Sequence, residues 1–594
     1  MMRRSSLALL LCLLASPALA QSVPPSHGLK AAVAAASVPA APLRLAERMS
    51  AAPAVVLRAA AEGAADQLEA LAQWNRSGRL PVRVGFSRSL PASERVALGG
   101  LGARKLPMRW AGGFADRSGA GNPVWSTSVA VAGSYRLRLH LAAVDLPAGT
   151  RLWVWGRGGA PRAFGLELRG PNGGLWTPSV AGSTIYLEVE VPAAAIAAGS
   201  PARFVPDAVA ERFRLDAKGR PLLTAPAPQG GGQGECLIDA TCVKASTLPI
   251  LADYRQAVAL LDFLDAGSEF ECSGGLLNDS ASDGTPYLLT ANHCFDNQDA
   301  ASSLEAFWDF RSATCNGPTP DLEAVPKSAG ATLLATGAAS DFTFVRLANL
   351  PAGRFFLGWN ADAKAVHDGT RLFRISQPFG DKQVYSASTV RTADVPVCDG
   401  APRPDFLYAQ VTASGTFGGS SGAPSILAGG YVVGQLLGGC GVNNPDDGCD
   451  YSNSEIDGAF SVTYPAVAQW LNPTPVPACV AGPTTLCLLG GRFQVEATFD
   501  AGNGLAGTAQ MVPLTDDAGY LWFFNPINPE AAIKVLDGCA STHSFWLFIG
   551  GLTNVHTVFR VTDTQTGIQR LYVNPQGAAF QSVQDIGAYV CSSR

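Results

Sequence analysis

A mainly β architecture divided into several domains is predicted by the 594-residue sequence on three grounds. With 47% hydrophobic and 15% charged positions the chain can bury several cores, and domains of about 150 residues would make three or four of them. Its 64 glycines and 41 prolines favour short strands joined by tight turns over long helices. Runs such as Tyr135 to Leu141 (YRLRLHL) and Ile185 to Val191 (IYLEVEV) alternate apolar and polar residues, the period of a strand with two different faces.

The elements follow in order. Residues 1–20 read as a secretory signal peptide: basic residues at Arg3 and Arg4, an apolar run from Leu7 to Leu14, and Ala18-Leu19-Ala20 before the expected cleavage. Cys12 follows Leu11, where a lipid-anchor signal would place a small residue. No later apolar run approaches the roughly 18 residues that span a bilayer. A secreted protein is therefore expected, extracellular and reached through the periplasm if the source is Gram-negative. The net charge of −5, with no basic run past the start, gives no reason to expect nucleic-acid binding.

Residues 21–230 read as a pro-region. Its first part, to about residue 80, is Ala- and Pro-rich and looks like a leader or linker, with a helical apolar period over Leu57 to Trp74. A cysteine-free β-sandwich is expected over about 107–206, followed by the flexible linker Ala225 to Gly234 (APAPQGGGQG), which a protease could reach. Residues 231–475 carry short, glycine-punctuated strands and close on a helical Pro465 to Leu471. Residues 476–594 form another strand-rich unit, whose aromatics around Trp522 and Phe545 read as core.

Of the 13 cysteines all but Cys12 lie at or beyond Cys236, and these 12 are an even set that favours disulfides in an oxidising compartment. Their spacings lack the paired CxxC of a zinc site, so neither metal nor cofactor is expected.

Two motifs carry the chemistry. Leu288 to Phe295 (LLTANHCF) ends an apolar strand in His293, and Phe417 to Pro424 (FGGSSGAP) puts Ser421 in a glycine-rich turn. Acyl transfer by serine needs a base within hydrogen-bond reach, a carboxylate to orient it, and backbone donors for the oxyanion. The base is His293 or His367, and His367 sits in a turn that reads as surface; Cys294 can be stapled to Cys272, which would fix the His293 imidazole. Asp341 opens the apolar strand DFTFVRL, where an acid can be buried. The order His293, Asp341, Ser421 is one of the known triad orders, and the nucleophile elbow of an esterase is not seen. Backbone N–H groups of Gly419 and Ser421 would form the oxyanion hole.

These residues resemble the bacterial lysyl endopeptidases within the trypsin-like serine proteases. The resemblance spans about Cys236 to Leu471 and rests on Cys236 to Cys242 (CLIDATC), Leu289 to Cys294 (LTANHC), Ser340-Asp341, Gly419 to Pro424 (GSSGAP) and Gly434 to Gly439 (GQLLGG). It implies a chymotrypsin-like double β-barrel protease domain, so that with the units read on either side the expected fold is mainly β, the barrels flanked by an N-terminal β-sandwich pro-region and a C-terminal β-sandwich-like domain. It further implies His293 as general base, Asp341 as orienter and Ser421 as nucleophile, with disulfides Cys272–Cys294, Cys242–Cys315, and Cys236 to either Cys440 or Cys449. Cys479, Cys487, Cys539 and Cys591 are expected as disulfides of the last unit. Ser420 stands where many trypsin-like enzymes carry the aspartate that pairs with a freed N-terminus, so that switch cannot operate. A folded pro-region, removed near Lys218 or Arg220, is the expected control.

In substrate binding, Gly415 stands where the common basic-pocket aspartate would be, and Glu455 in Ser454 to Gly458 (SEIDG) is the acid expected to face a P1 lysine or arginine. Leu437 replaces a histidine found in the family beside the substrate, and Gly438-Gly439 leaves a strand edge for an extended peptide. The expected function is a secreted serine endopeptidase, monomeric, acting on protein or peptide substrates, with its own pro-region as folding aid or inhibitor, and with neither nucleic acid nor membrane as partner. The alternative is a secreted binding or adhesive protein with an inert protease-like barrel.

Overall fold

The computed structural model describes residues 22–27, 41–49, 53–57, 64–91, 94–101, 104–215, 220–222, 236–392, 397–398, 400–440, 449–472, 479–502, 504–539, 544–565 and 569–590. The expected signal peptide, Lys218, the linker Ala225 to Gly234 and Cys591 lie outside these residues.

The N-terminal sandwich follows from its alternation. In the strand Arg136–Asp145, Leu137, Leu139 and Leu141 enter a core with Trp125, Leu187, Val189 and Phe204. One sheet runs in the order Arg162–Phe164, Arg151–Gly156, Thr184–Glu190, Pro123–Val131, Gly113–Arg117, Met108–Trp110. The other sheet does not end at the sandwich: its strand Val82–Ser89 pairs on one side with Arg203–Arg212 and on the other with Ser268–Leu277 of the next unit.

The same alternation explains that continuity. Arg136 and Arg138 point away from the sandwich core and are themselves buried. Arg136 pairs with Glu323 at 3.1 Å and Arg138 with Asp262 at 3.7 Å, while Arg212 binds both Asp262 and Glu271, and Arg162 binds Glu305 at 2.5 Å. Every cation in this set belongs to the sandwich and every acid to the barrel beyond it. Stranding one partner of a buried pair costs about 3–5 kcal/mol, so the two surfaces are matched.

Two barrels follow. The first is built from Val258–Asp265, Ser268–Leu277, Tyr287–Ala291, Glu305–Trp308, Phe342–Leu347 and the nearly continuous run Lys327–Ala329 and Ala331–Gly337. The second closes on itself through Arg371–Ser376, Val384–Val390, Phe406–Ala413, Ser454–Ala459, Tyr431–Cys440 and Pro424–Ile426, the last pairing with both its neighbours. The helix Phe460–Leu471 seals the core through Phe460, Val467 and Leu471. Residues from Cys479 onward form two five-stranded sheets around Phe493, Leu521, Val535, Leu547 and Phe559. Among the described residues, no helix is long and apolar enough to cross a membrane.

The leader expected over 21–80 is in part docked structure. Leu45 and Ala46 are buried against Trp153 and Trp155, and residues 22–27 pair with the segment that connects the barrels. The helix starts at Ala64 rather than near Leu57, which lies in the strand Val55–Leu57 paired with the sandwich. Scattered apolar residues in an Ala-rich stretch acquire partners only in three dimensions, which is why composition reads them as linker.

Disulfides join Cys236–Cys449, Cys242–Cys315, Cys272–Cys294, Cys398–Cys440 and Cys479–Cys487. The choice left open for Cys236 thus falls on Cys449, and Cys398 takes Cys440.

Candidate active site

His293 stands in the turn that ends the strand Tyr287–Ala291, with the next residue, Cys294, tied back to Cys272. That strand pairs with Phe342–Leu347 so that Ala291 faces Phe342, which brings His293 and Asp341 out at the same end of neighbouring strands. Asp341 holds the histidine at two points: its Oδ1 accepts the His293 backbone N–H at 2.8 Å and its Oδ2 lies 2.7 Å from Nδ1. A carboxylate at Nδ1 fixes the tautomer that leaves Nε2 free to accept a proton.

Asp341 is 5% exposed and adopts φ +49°, a left-handed conformation that aspartate tolerates better than most residues. Its position is secured from the second barrel, where Gln435 Nε2 donates to the Ser340 carbonyl at 2.5 Å.

Ser421 lies in the turn before Pro424–Ile426 of the second barrel. Gly422, at φ +77°, lets this turn approach the histidine strand: a Cβ there would stand 2.2 Å from Thr290 Oγ1 and 2.7 Å from the Ala291 nitrogen. Ser273, beside Cys272 in the first barrel, donates its N–H to the Ser421 carbonyl at 2.8 Å, and its Oγ lies 2.9 Å from the Gly419 carbonyl. With these carbonyls held, the N–H groups of Gly419 and Ser421 donate to no acceptor among the described residues. His293 Nε2 is likewise unpartnered, and no hydrogen bond joins it to Ser421 Oγ. In enzymes of this chemistry such a contact tightens on substrate binding.

Cys272, His293 and Cys294 have potential ligand atoms within 4.8 Å of one another, but both sulfurs are spent in the disulfide. His367 is exposed and turns its Nδ1 toward the Asp368 carbonyl.

Residues 230–452 match the family described as the lysyl endopeptidase C-terminal domain. The chain is lysyl endopeptidase-like. It is 30% identical over 324 residues to the lysyl endopeptidase of Pseudomonas aeruginosa, an alignment covering 52% of this chain and 66% of that enzyme, a little under two thirds of its length. Among solved structures, the active form of the Rv3671c protease from M. tuberculosis aligns at 15% identity and a TM-score of 0.28, over 43% of this chain and 97% of that one. The serine endoprotease from Yersinia pestis aligns at 16% identity and a TM-score of 0.26, over 36% of this chain and 62% of that one.

In this lysyl endopeptidase-like unit Glu455 is not a loop residue. It lies in the strand Ser454–Ala459, opposite Gly439 and Ala409, and is 2% exposed. Its carboxylate binds Arg374 Nη1 and also contacts Thr416, five residues before Ser421. Arg374 Nη2 reaches Asp457 and, at 2.7 Å, Ser425 Oγ. Burial raises the Glu455 pKa and Arg374 opposes the rise. Glu455 Oε1 has no partner. Leu437 and Gly438 are half-buried and Gly439 is exposed along the neighbouring strand.

Sequence reasoning overlooked Ser273, Gln435 and Arg374. Arg374, set between the apolar Phe373 and Ile375, was a readable signal, because a buried guanidinium demands acidic partners.

Proposed function

We propose that the chain is a secreted serine endopeptidase made as a precursor, with His293, Asp341 and Ser421 as its triad. The observation that carries this reading is the two-point hold of Asp341 on His293, on the strand end against which the Ser421 turn packs. Ser421 Oγ attacks the peptide carbonyl as His293 Nε2 takes its proton. The N–H groups of Gly419 and Ser421 receive the oxyanion, and each such donor is worth about 3–4 kcal/mol. Collapse expels the amine, protonated by His293, and leaves an acyl-enzyme that water hydrolyses by the same route in reverse.

At P1, Glu455 offers a carboxylate that Arg374 already neutralises in part, while Asp457 adds a second acid to the cluster. Two acids against one cation leave the site net negative, so lysine and arginine are preferred in a graded rather than a strict way.

Residues 231–475 are assigned to the protease and residues 21–230 to a pro-region that restrains it. Support comes from Leu80 and Val82. Val82 Cγ2 lies 2.3 Å from where a Cβ on Gly418 would stand, and Leu80 Cδ1 3.5 Å from one on Gly438. Gly418 is three residues before Ser421, and Gly438 belongs to the strand edge assigned to substrate. The N-terminal chain therefore crosses the cleft while its strand Val82–Ser89 pairs with the barrel.

The test is to incubate the processed protein, and a Ser421→Ala variant prepared alike, with a mixed peptide library and to read the cleaved bonds by mass spectrometry. Cleavage by the parent alone, enriched after lysine and arginine, is expected. No cleavage by folded, processed parent would turn the reading to a binding protein with an inert barrel.

A further inference from the structure

The segment Phe355–Asn360, which connects the two barrels, is paired on both edges. Its Leu357 is spent on the first barrel: the N–H donates to the Leu276 carbonyl at 2.9 Å and the carbonyl accepts from Asn278 N–H at 2.7 Å. Gly358 and Trp359 pair in parallel with Tyr431 and Val432 of the second barrel. Along the remaining edge lies Ser22–His27, with Ser22 and Val23 opposite Asn360 and Trp359, and Ser26 and His27 opposite Phe356 and Phe355.

The register is unbroken, so Pro24 and Pro25 fall opposite Gly358 and Leu357. Proline has no N–H to donate, and Leu357 has turned its polar groups to the first barrel, so the two prolines cost no hydrogen bond there. Gly358 is the cradle: a Cβ on it would stand 2.5 Å from the Val23 carbonyl oxygen and 2.6 Å from the Pro25 nitrogen. Val23, 4% exposed, inserts into the core with Leu277, Leu357, Trp359 and Val432. Asn278, itself buried, donates Nδ2 to the Pro24 carbonyl at 2.9 Å. His27 stacks edge-on against Phe355 at 4.9 Å, with its Nε2 3.7 Å from Asp253.

We propose that this is a peptide-binding groove separate from the catalytic cleft, whose ligand is an extended segment with an apolar anchor followed by two prolines. In this chain the ligand is Ser22–His27, which joins by strand addition and stays bound without a covalent link when the chain is cut between it and the barrels. That retention rests on the precursor reading; the groove and its ligand do not.

The test uses the full chain with Ser421→Ala, to prevent self-cleavage, and with residues 22–27 deleted. A fluorescent synthetic peptide of residues 22–27 is titrated in and its anisotropy followed. Saturable one-to-one binding is expected, weakened about tenfold or more by Val23→Asp in the peptide, because a buried aliphatic anchor is lost, and similarly by Gly358→Ala in the protein. No saturable binding, or equal binding of the Val23→Asp peptide, would overturn the proposal. If the deletion does not fold, hydrogen exchange on the undeleted Ser421→Ala chain reads the same contact. Val23→Asp should then speed exchange of the Phe355–Asn360 amides by about tenfold or more, and unchanged exchange would overturn it. Both readouts are independent of hydrolysis, so a failed protease assay would leave them standing, and the converse holds.

Discussion

Arg374 and Glu455 form a buried ion pair behind the strand edge Leu437–Gly439, so the acid expected to meet a basic P1 side chain already has a cation on one oxygen. Its second oxygen, Oε1, is buried without a hydrogen-bond partner, and on the proposed P1 reading it is the atom left to meet a substrate cation.

Glu455→Gln should therefore lower kcat/KM for peptides with lysine at P1 by about tenfold relative to the same peptides with leucine, as expected for removing one carboxylate from a charge-assisted contact. Asp457 remains to pair with Arg374, so the fold should survive. An unchanged lysine-to-leucine ratio would remove Glu455 from specificity.

Ser273 contacts both carbonyls of the serine turn. It touches no reacting atom and is assigned a positioning role. Ser273→Ala removes only the hydroxyl, at a cost of about 1–3 kcal/mol for the buried groups left unpaired. Most of the activity loss should appear in kcat, with KM nearly unchanged; a loss confined to KM or to thermal stability would make the hydroxyl merely structural.

Val82 covers Gly418 in the uncut chain and pairs with Glu271. Val82→Asp sets a carboxylate beside that glutamate and should loosen the strand, raising hydrolysis of a small chromogenic peptide by the uncut chain several-fold. If instead the uncut chain matches the processed protein in activity before any substitution, the N-terminal region does not restrain the cleft.

Burial pushes the Glu271 pKa up to about 7, with Arg212 opposing the rise and Asp262 and Asp381 adding to it. From pH 4.5 to about 7 the folded protein holds a proton there that the unfolded chain releases. Stability is thus present below that window and declines as pH rises through it. The melting temperature of the uncut chain should fall by a few degrees across this range, and Glu271→Gln should flatten the profile. A melting temperature that rises with pH in both proteins would contradict the sign.

Much of this fold was legible because its signals are local. The strand Tyr287–Ala291 follows from its apolar run, and the alternation of Arg136–Asp145 marks a sheet with two faces. What alternation could not say is that the second face, carrying Arg136 and Arg138, meets acids more than a hundred residues away rather than water. The partner of Glu455 was hidden for the same reason, being 81 residues away and in another strand. The site motifs could be read because their spacing is local to each turn. Ser273 and Gln435, which hold those turns in place, are ordinary polar residues until the barrels close.

The central claim is that Ser421 is a nucleophile activated by His293. The most direct measurement is to treat processed protein with a fluorophosphonate and map the adduct by peptide mass spectrometry. A single adduct on Ser421, lost in His293→Ala protein with an unchanged circular dichroism spectrum, is the predicted result. An adduct on another residue, or none on folded protein with an open cleft, would contradict it.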